Sequence, residues 1–231
     1  NFSVASQRTG ASMTPIRATF AYVGCFTTRE RNARGKGISV YRIDQYTGAW
    51  LLVQVCESHP NPGFLAIDHE RSALYVAHGI ATVGIYTAHG SGVGVSAYSI
   101  ERHTGKLKLL NRQPTQGDNA RRVTVDPGNR YVVLANGAGV EVFPINSDGS
   151  LAPMSDAIVP TAEPGTFRAE EKGPNPHDVV FDPDGRFVVA PDKGLDKVHI
   201  YRLNDSNGEM AANEFRFVAS RYGAAPRHVA F

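Results

Sequence analysis

One pattern recurs along this chain and limits what it can fold into. An apolar run ends in an aspartate, a short polar turn follows, and a second apolar run returns. Phe64-Leu-Ala-Ile-Asp68 leads into Ala73–His78, Val123-Thr-Val-Asp126 leads into Tyr131–Ala135, and Val179-Val-Phe-Asp182 leads through Pro183-Asp-Gly185 into Phe187–Ala190. The three aspartates lie 58 and 56 positions apart. Asp and Gly suit these turns, because Asp bonds its own backbone two residues on and Gly tolerates a positive φ. Two further strand-like runs follow each copy: 94–100 and 107–110, 140–145 and 151 onward, then 198–203 and 214–218. Turns at Gly105, Gly149 and Gly208 join the members of each pair. The runs are short and often alternate with period two, and no helical period of useful length competes. Four antiparallel strands per repeat define an all-β chain, a β-propeller built of four-stranded blades.

The first repeat is incomplete. Phe20–Cys25 matches a second strand and Ile38–Ile43 a third, but no innermost strand precedes them. At the other end, Ala225-Pro-Arg-His-Val-Ala-Phe231 matches the opening of a fifth repeat and stops. The expected division is a flexible tail over 1–18 and a propeller over 19–231. Its blades run over about 19–58, 59–117, 118–160 and 174–220, with the start of a fifth at 225–231. Two arrangements fit: part of a larger ring, which we prefer, or a four-bladed ring closed by the last strand. A cut ring exposes a strand edge, so further C-terminal blades or a second copy of the chain is expected to cover it.

Strand alternation decides where the polar residues go. The innermost strand starts beside the central channel and the second strand returns to the same face. Residues before first strands and after second strands therefore converge on one mouth. Before first strands stand Asn61-Pro-Gly63, Arg121-Arg122, His177-Asp178 and Arg227-His228. After second strands stand 25–36, 78–92, Asn136 and Asp192–Asp196, and the insert 163–173 reaches the same face with Glu170 and Glu171. Arginines bind carboxylate or phosphate with two parallel donors, and His or Glu moves protons near neutral pH. A small anionic ligand is the expected partner. Asp68, Asp126 and Asp182 are read as turn caps, His78 and His89 as surface residues of a glycine-rich loop, and His199 has no assigned role.

The charge balance excludes other classes. With 24 basic and 22 acidic residues the net charge is +2, too even for a nucleic-acid or membrane-surface footprint. No run of 18 apolar residues suggests a membrane helix. Cys25 and Cys56 form neither a disulfide framework nor a zinc motif, so a reducing, cytoplasmic setting is expected. There is no Gly-x-Ser-x-Gly elbow, phosphate loop or dinucleotide fingerprint, and the histidines are too scattered for a metal signature. No cofactor or metal is expected.

Several segments resemble one family as a set. Ala21-Tyr-Val-Gly-Cys-Phe-Thr27, Gly35-Lys-Gly-Ile-Ser-Val-Tyr41, Asn61-Pro62, Gly94-Val-Ser-Ala-Tyr98, Pro176-His177, Phe181-Asp-Pro183, Pro191–Lys197 and Ala225-Pro-Arg-His228 are similar to the lactonase family of seven-bladed propellers. That family includes bacterial 6-phosphogluconolactonase and the fungal carboxymuconate-cyclising enzyme. The resemblance runs from about residue 20 to the end. It implies a ring of seven blades, of which this chain holds the first four and a little more. It also implies metal-free hydrolysis or formation of a sugar-acid or muconate-type lactone in the channel mouth. The family's pocket histidine maps on His177, and its arginine and histidine opening the fifth blade map on Arg227 and His228.

The pattern departs from the family at Asn175, Arg122, Asn136-Gly137 and Glu170-Glu171. The resulting expectation is a lactone hydrolase in which His177, Glu170 or Glu171 activates water. Arg122, Arg227, His228 and Asp192 hold the substrate, a small anionic lactone or sugar acid. The alternative is a propeller without catalysis that binds a small anion or a protein.

Overall fold

The computed structural model describes residues 19–57, 60–79, 94–161 and 173–231. The expected tail over 1–18, Glu170 and Glu171 lie outside the described residues. Within them, fifteen strands form four antiparallel sheets, each a simple meander. The first sheet has three strands: β1 (Thr19–Gly24), β2 (Ile38–Ile43) and β3 (Trp50–Cys56). The second holds β4 (Pro62–Asp68), β5 (Ala73–His78), β6 (Gly94–Ile100) and β7 (Leu107–Pro114). The third holds β8 (Arg122–Val125), β9 (Tyr131–Ala135), β10 (Val140–Pro144) and β11 (Asp156–Ile158). The fourth holds β12 (Val180–Phe181), β13 (Val188–Asp192), β14 (Lys197–Leu203) and β15 (Met210–Ala219).

The sheets stack face to face, and the second strands show why their sequences are apolar without interruption. β5 and β9 are buried along their whole length. Leu74 and Val76 point into a core shared with Ile38 and Val40 of the first sheet. Tyr75 and Ala77, on the opposite face, meet Val132, Leu134 and Phe143 of the third. Tyr131, Val133 and Ala135 then meet Val188, Ala190 and Tyr201 of the fourth. A strand buried on both faces needs apolar residues at odd and even positions alike. Among the described residues, the first and fourth sheets each have a packed neighbour sheet on one side. They leave Trp50, Leu51, Leu52, Phe215 and Val218 exposed.

The recurring aspartates cap the first turn of each repeat. Asp68 Oδ1 accepts from the backbone of Glu70 and Arg71 at 2.9 and 3.0 Å. Asp126 accepts from the backbone of Gly128, Arg130 and Tyr131 at 3.0, 2.6 and 2.6 Å. Asp182 accepts from Phe187 at 2.7 Å, across a turn in which Gly185 has φ +68°. A second recurring device joins neighbouring sheets. Tyr22 and Tyr75 hold the same register in successive second strands, and Tyr131 stands two residues earlier in the next, opposite its turn aspartate. Each donates its hydroxyl to a turn carbonyl of the next sheet, at Gly105, Gly149 and Asp205, over 2.9, 3.1 and 3.2 Å.

Two details differ from the sequence-based expectation. The outer strand of the third sheet begins at Asp156 and not at Leu151, which makes only an isolated bridge to Ile145. Pro153, with no N–H to donate, interrupts the ladder between them. His78 is not a surface residue. It ends β5, is buried, and its Nε2 lies 2.8 Å from Ser96 Oγ.

Candidate active site

The starts of the inner strands meet at one cleft of about 350 Å³. Gly63, Arg121, Arg122, His177, Asp178, Arg227 and His228 all line it, so the four strand starts expected to converge do so. Phe26, Arg31, Gly79 and Lys193 complete the wall from the loops that follow second strands. Among the described residues, five Lys or Arg side chains line this space against one carboxylate, Asp178.

His177 is held by its own backbone before it is held by its ring. Its N–H donates to Pro191 O at 3.0 Å, and Pro176 bridges Asp192. The ring is half-buried and meets the His228 ring edge-on, with centroids 5.2 Å apart. Arg227 Nη2 donates to His177 Nε2 at 2.9 Å. Burial lowers the pKa of His177 to about 4, and the charges of Arg227, Arg121, His228 and Lys193 push the same way. The ring is therefore neutral at physiological pH, with Nε2 as acceptor and the proton on Nδ1, since a guanidinium cannot accept.

The adjacent arginines of the third sheet are held differently. Arg122 Nε sits 3.1 Å from Asp178 Oδ1, and its guanidinium lies over the Phe64 ring at 4.2 Å. Arg121 donates to Asn175 Oδ1 and, at 3.1 Å, to Pro176 O. With its amide oxygen turned inward, Asn119 also accepts from Arg121 Nε at 3.0 Å. Asp178 is buried and does three jobs. Oδ1 accepts from Val179 N at 2.9 Å and faces Arg122, while Oδ2 accepts from Val229 N at 3.4 Å. It thus ties the start of the fifth repeat to the third and fourth.

The structure brings His177, Arg122, Arg227 and His228 together at the cleft, but not Asp192. Asp192 is fully buried, and its Oδ1 accepts from the backbone of Asn175, Gly194 and Leu195 at 2.9, 2.8 and 3.1 Å. Its Oδ2 faces His199 Nε2 at 3.7 Å, away from solvent. An aspartate spent on three backbone donors has no lone pair to offer a ligand from that oxygen, so its role is to shape the loop beneath His177. The close approach in that loop requires a glycine at 194, where a Cβ would collide with Gly173 O. His199, unassigned from the sequence, is buried behind Asp192 and stacks on Tyr201 at 6.0 Å. Arg31, Arg121, Lys193 and Asp178 were not singled out as site residues. Their signal was positional, since each stands in a segment that the repeats direct to the mouth.

Comparison with known proteins identifies the family of the fold. Residues 20–231 match the sequence model of the lactonase family of 7-bladed β-propellers. The chain is a member of that family. It is 34% identical to 6-phosphogluconolactonase of Bacillus subtilis (strain 168) over 213 residues, which cover 91% of the chain and 55% of that protein. A solved structure from Bacteroides fragilis superposes with a TM-score of 0.80 at 28% identity, covering 96% of this chain and 60% of the other. The periplasmic gluconolactonase PpgL of Pseudomonas aeruginosa gives 0.77 at 26% identity, over 93% and 58%. The chain thus spans a little over half the length of the relatives it matches.

Proposed function

We propose that this chain contributes the histidine- and arginine-bearing part of a lactone hydrolase site, and that its substrate is a small lactone carrying an anionic group, of the 6-phosphogluconolactone kind. The observation that carries this reading is the neutral His177 set against Arg227 in a cleft lined by five cationic side chains. His177 Nε2 takes a proton from water as that water attacks the lactone carbonyl. The tetrahedral intermediate collapses with cleavage of the ring C–O bond, and the imidazolium returns its proton to the departing alkoxide. Arg227 and Arg122 neutralise the ligand's anionic group and the developing oxyanion. His228 packs the His177 ring from its edge and orients it. Glu170 and Glu171 keep their place in the proposal as alternative bases from the insert. A cytoplasmic setting fits the free thiols of Cys25 and Cys56, and among the described residues no helix is long and apolar enough to cross a membrane. Further blades, covering the exposed faces of the first and fourth sheets, would complete the mouth.

The test is the rate of 6-phosphogluconolactone and gluconolactone opening by the full-length protein, measured against spontaneous hydrolysis. A rate above background that collapses in His177→Ala supports the reading. A rate no higher than background, or one indifferent to His177→Ala and Arg227→Ala, would leave the non-catalytic propeller as the better account.

A further inference from the structure

Arg227 touches His177 at the very atom that the proposed chemistry uses. A guanidinium has donors only, so the 2.9 Å contact occupies the lone pair of Nε2. The other ring nitrogen, Nδ1, is buried and has no hydrogen-bond partner among the described residues. A base whose lone pair already accepts a hydrogen bond cannot take a proton from water. The ground state of the cleft is therefore one in which the histidine is present and idle.

We propose that Arg227 is a ligand-operated gate: it holds His177 Nε2 occupied until an anionic group of the ligand draws the guanidinium away, and that movement frees the base. The chemistry it controls rests on the lactonase reading, but the gate itself needs only an anion. Three observations favour it. His177 supplies the one hydrogen bond that the Arg227 side chain makes among the described residues. Its two arginine neighbours are anchored at several points, Arg122 by Asp178 and Phe64, Arg121 by Asn119, Asn175 and Pro176. The partner it would give up is also a neutral ring nitrogen. A carboxylate or phosphate offers a fork-shaped guanidinium two charge-assisted bonds in exchange, each about twice as strong as a neutral one.

The gate has a pH signature. The groups that face His177 are Arg121 ahead of β8, Lys193 after β13, and Arg227 and His228 in the fifth repeat, all lowering its proton affinity. The one carboxylate lining the cleft among the described residues, on Asp178, is turned toward Arg122 and backbone donors. An anion that removes Arg227 and offsets this field raises the proton affinity of His177. A ligand thereby both uncovers the base and strengthens it.

Nitrogen-15 NMR of the histidine side chains tests this, with sulfate as the probe because its charge is constant across the titration. Without sulfate, the Nε2 resonance of His177 should titrate with a midpoint near 4 and report the Nδ1–H tautomer between that midpoint and neutral pH. Saturating sulfate should raise the proton affinity about tenfold, a shift of about one pH unit. In Arg227→Gln the midpoint should already be raised without sulfate, and sulfate should move it little further. A midpoint that sulfate leaves unchanged overturns the gate, and so does an equal sulfate shift in Arg227→Gln. A protein that shows the shift but opens no lactone keeps the gate and loses the hydrolase reading. Lactone opening with an unmoved midpoint does the reverse.

Discussion

The two ends of each blade follow opposite rules. At the turn between first and second strands, successive repeats carry the same residue in the same role. Asp68, Asp126 and Asp182 all turn carboxylate oxygens onto backbone N–H groups. At the other end of the same strands, the starts read Asn61-Pro-Gly63, Arg121-Arg122, His177-Asp178 and Arg227-His228, and no two of these segments are the same. A turn has one physical requirement, so repetition satisfies it. A binding site needs different chemistries pointed at one space, and a ring of repeats supplies that by letting each blade present a different residue at the same height. Uniformity therefore marks the part of the blade that folds, and divergence marks the part that acts.

The largest expected effect lies at the divergent end. His177→Ala should lower kcat/KM for an anionic sugar-acid lactone by about 10²–10⁴-fold, the usual contribution of a positioned general base, with little change in the midpoint of urea unfolding. The uniform end should give the mirror image. Asp126→Ala strands three backbone donors and should cost about 3 kcal/mol of stability by chemical denaturation, while kcat/KM per folded molecule stays within about twofold. If Asp126→Ala damaged catalysis as much as His177→Ala does, the separation of the two ends would fail.

Much of this comparison is legible in the sequence. The aspartate-to-aspartate spacing and the doubled apolar runs specify blades, because a strand buried on both faces has few residue choices. Strand alternation alone directs residues 61–63, 121–122, 177–178 and 227–228 to one face, and Gly63, Arg121, Arg122, His177, Asp178, Arg227 and His228 line one cleft there. Sequence cannot show how a polar side chain is spent. Asp192 stands at a strand end beside the mouth, as a ligand-binding carboxylate would, yet its Oδ1 serves three backbone amides and its Oδ2 faces a buried histidine. Arg121 and Arg122 are adjacent in sequence, but one is anchored by amides and a carbonyl, the other by a carboxylate and an aromatic face. The tyrosine staples are only partly readable, because Tyr22 and Tyr75 align but Tyr131 stands two residues earlier in its strand. What hid them is that their acceptors are backbone carbonyls, which any residue can provide.

Those staples sharpen the comparison at smaller cost. Tyr75→Phe and Tyr131→Phe each remove one sheet-to-sheet hydrogen bond and should lose about 1 kcal/mol, read as a lowered denaturation midpoint. Both should leave the cleft chemistry intact. Phe187 stands in the fourth sheet where Tyr131 stands in the third and has no hydroxyl to lose, so Phe187→Tyr should gain nothing comparable.

A further effect is a pH dependence that links the two ends. The folded-state pKa of His177 lies near 4, below the ordinary value of 6.5. The unfolded chain therefore takes the proton first as pH falls. The contribution of this residue to stability is fully present above about pH 6.5 and is lost progressively toward pH 4. His177→Gln should flatten that part of the stability profile. On the kinetic side, the acid limb of kcat/KM should lie at lower pH than the acid limb of kcat, because the first reports the free enzyme and the second the bound one.

The central claim is that residues from different repeats form one chemical unit at the mouth. A double-mutant cycle across His177→Gln and Arg227→Gln in kcat/KM tests it most directly. The account predicts strong non-additivity, with the double variant about as impaired as the worse single variant, because each residue acts through the other. Losses that simply multiply, or the absence of any loss in both single variants, would contradict it.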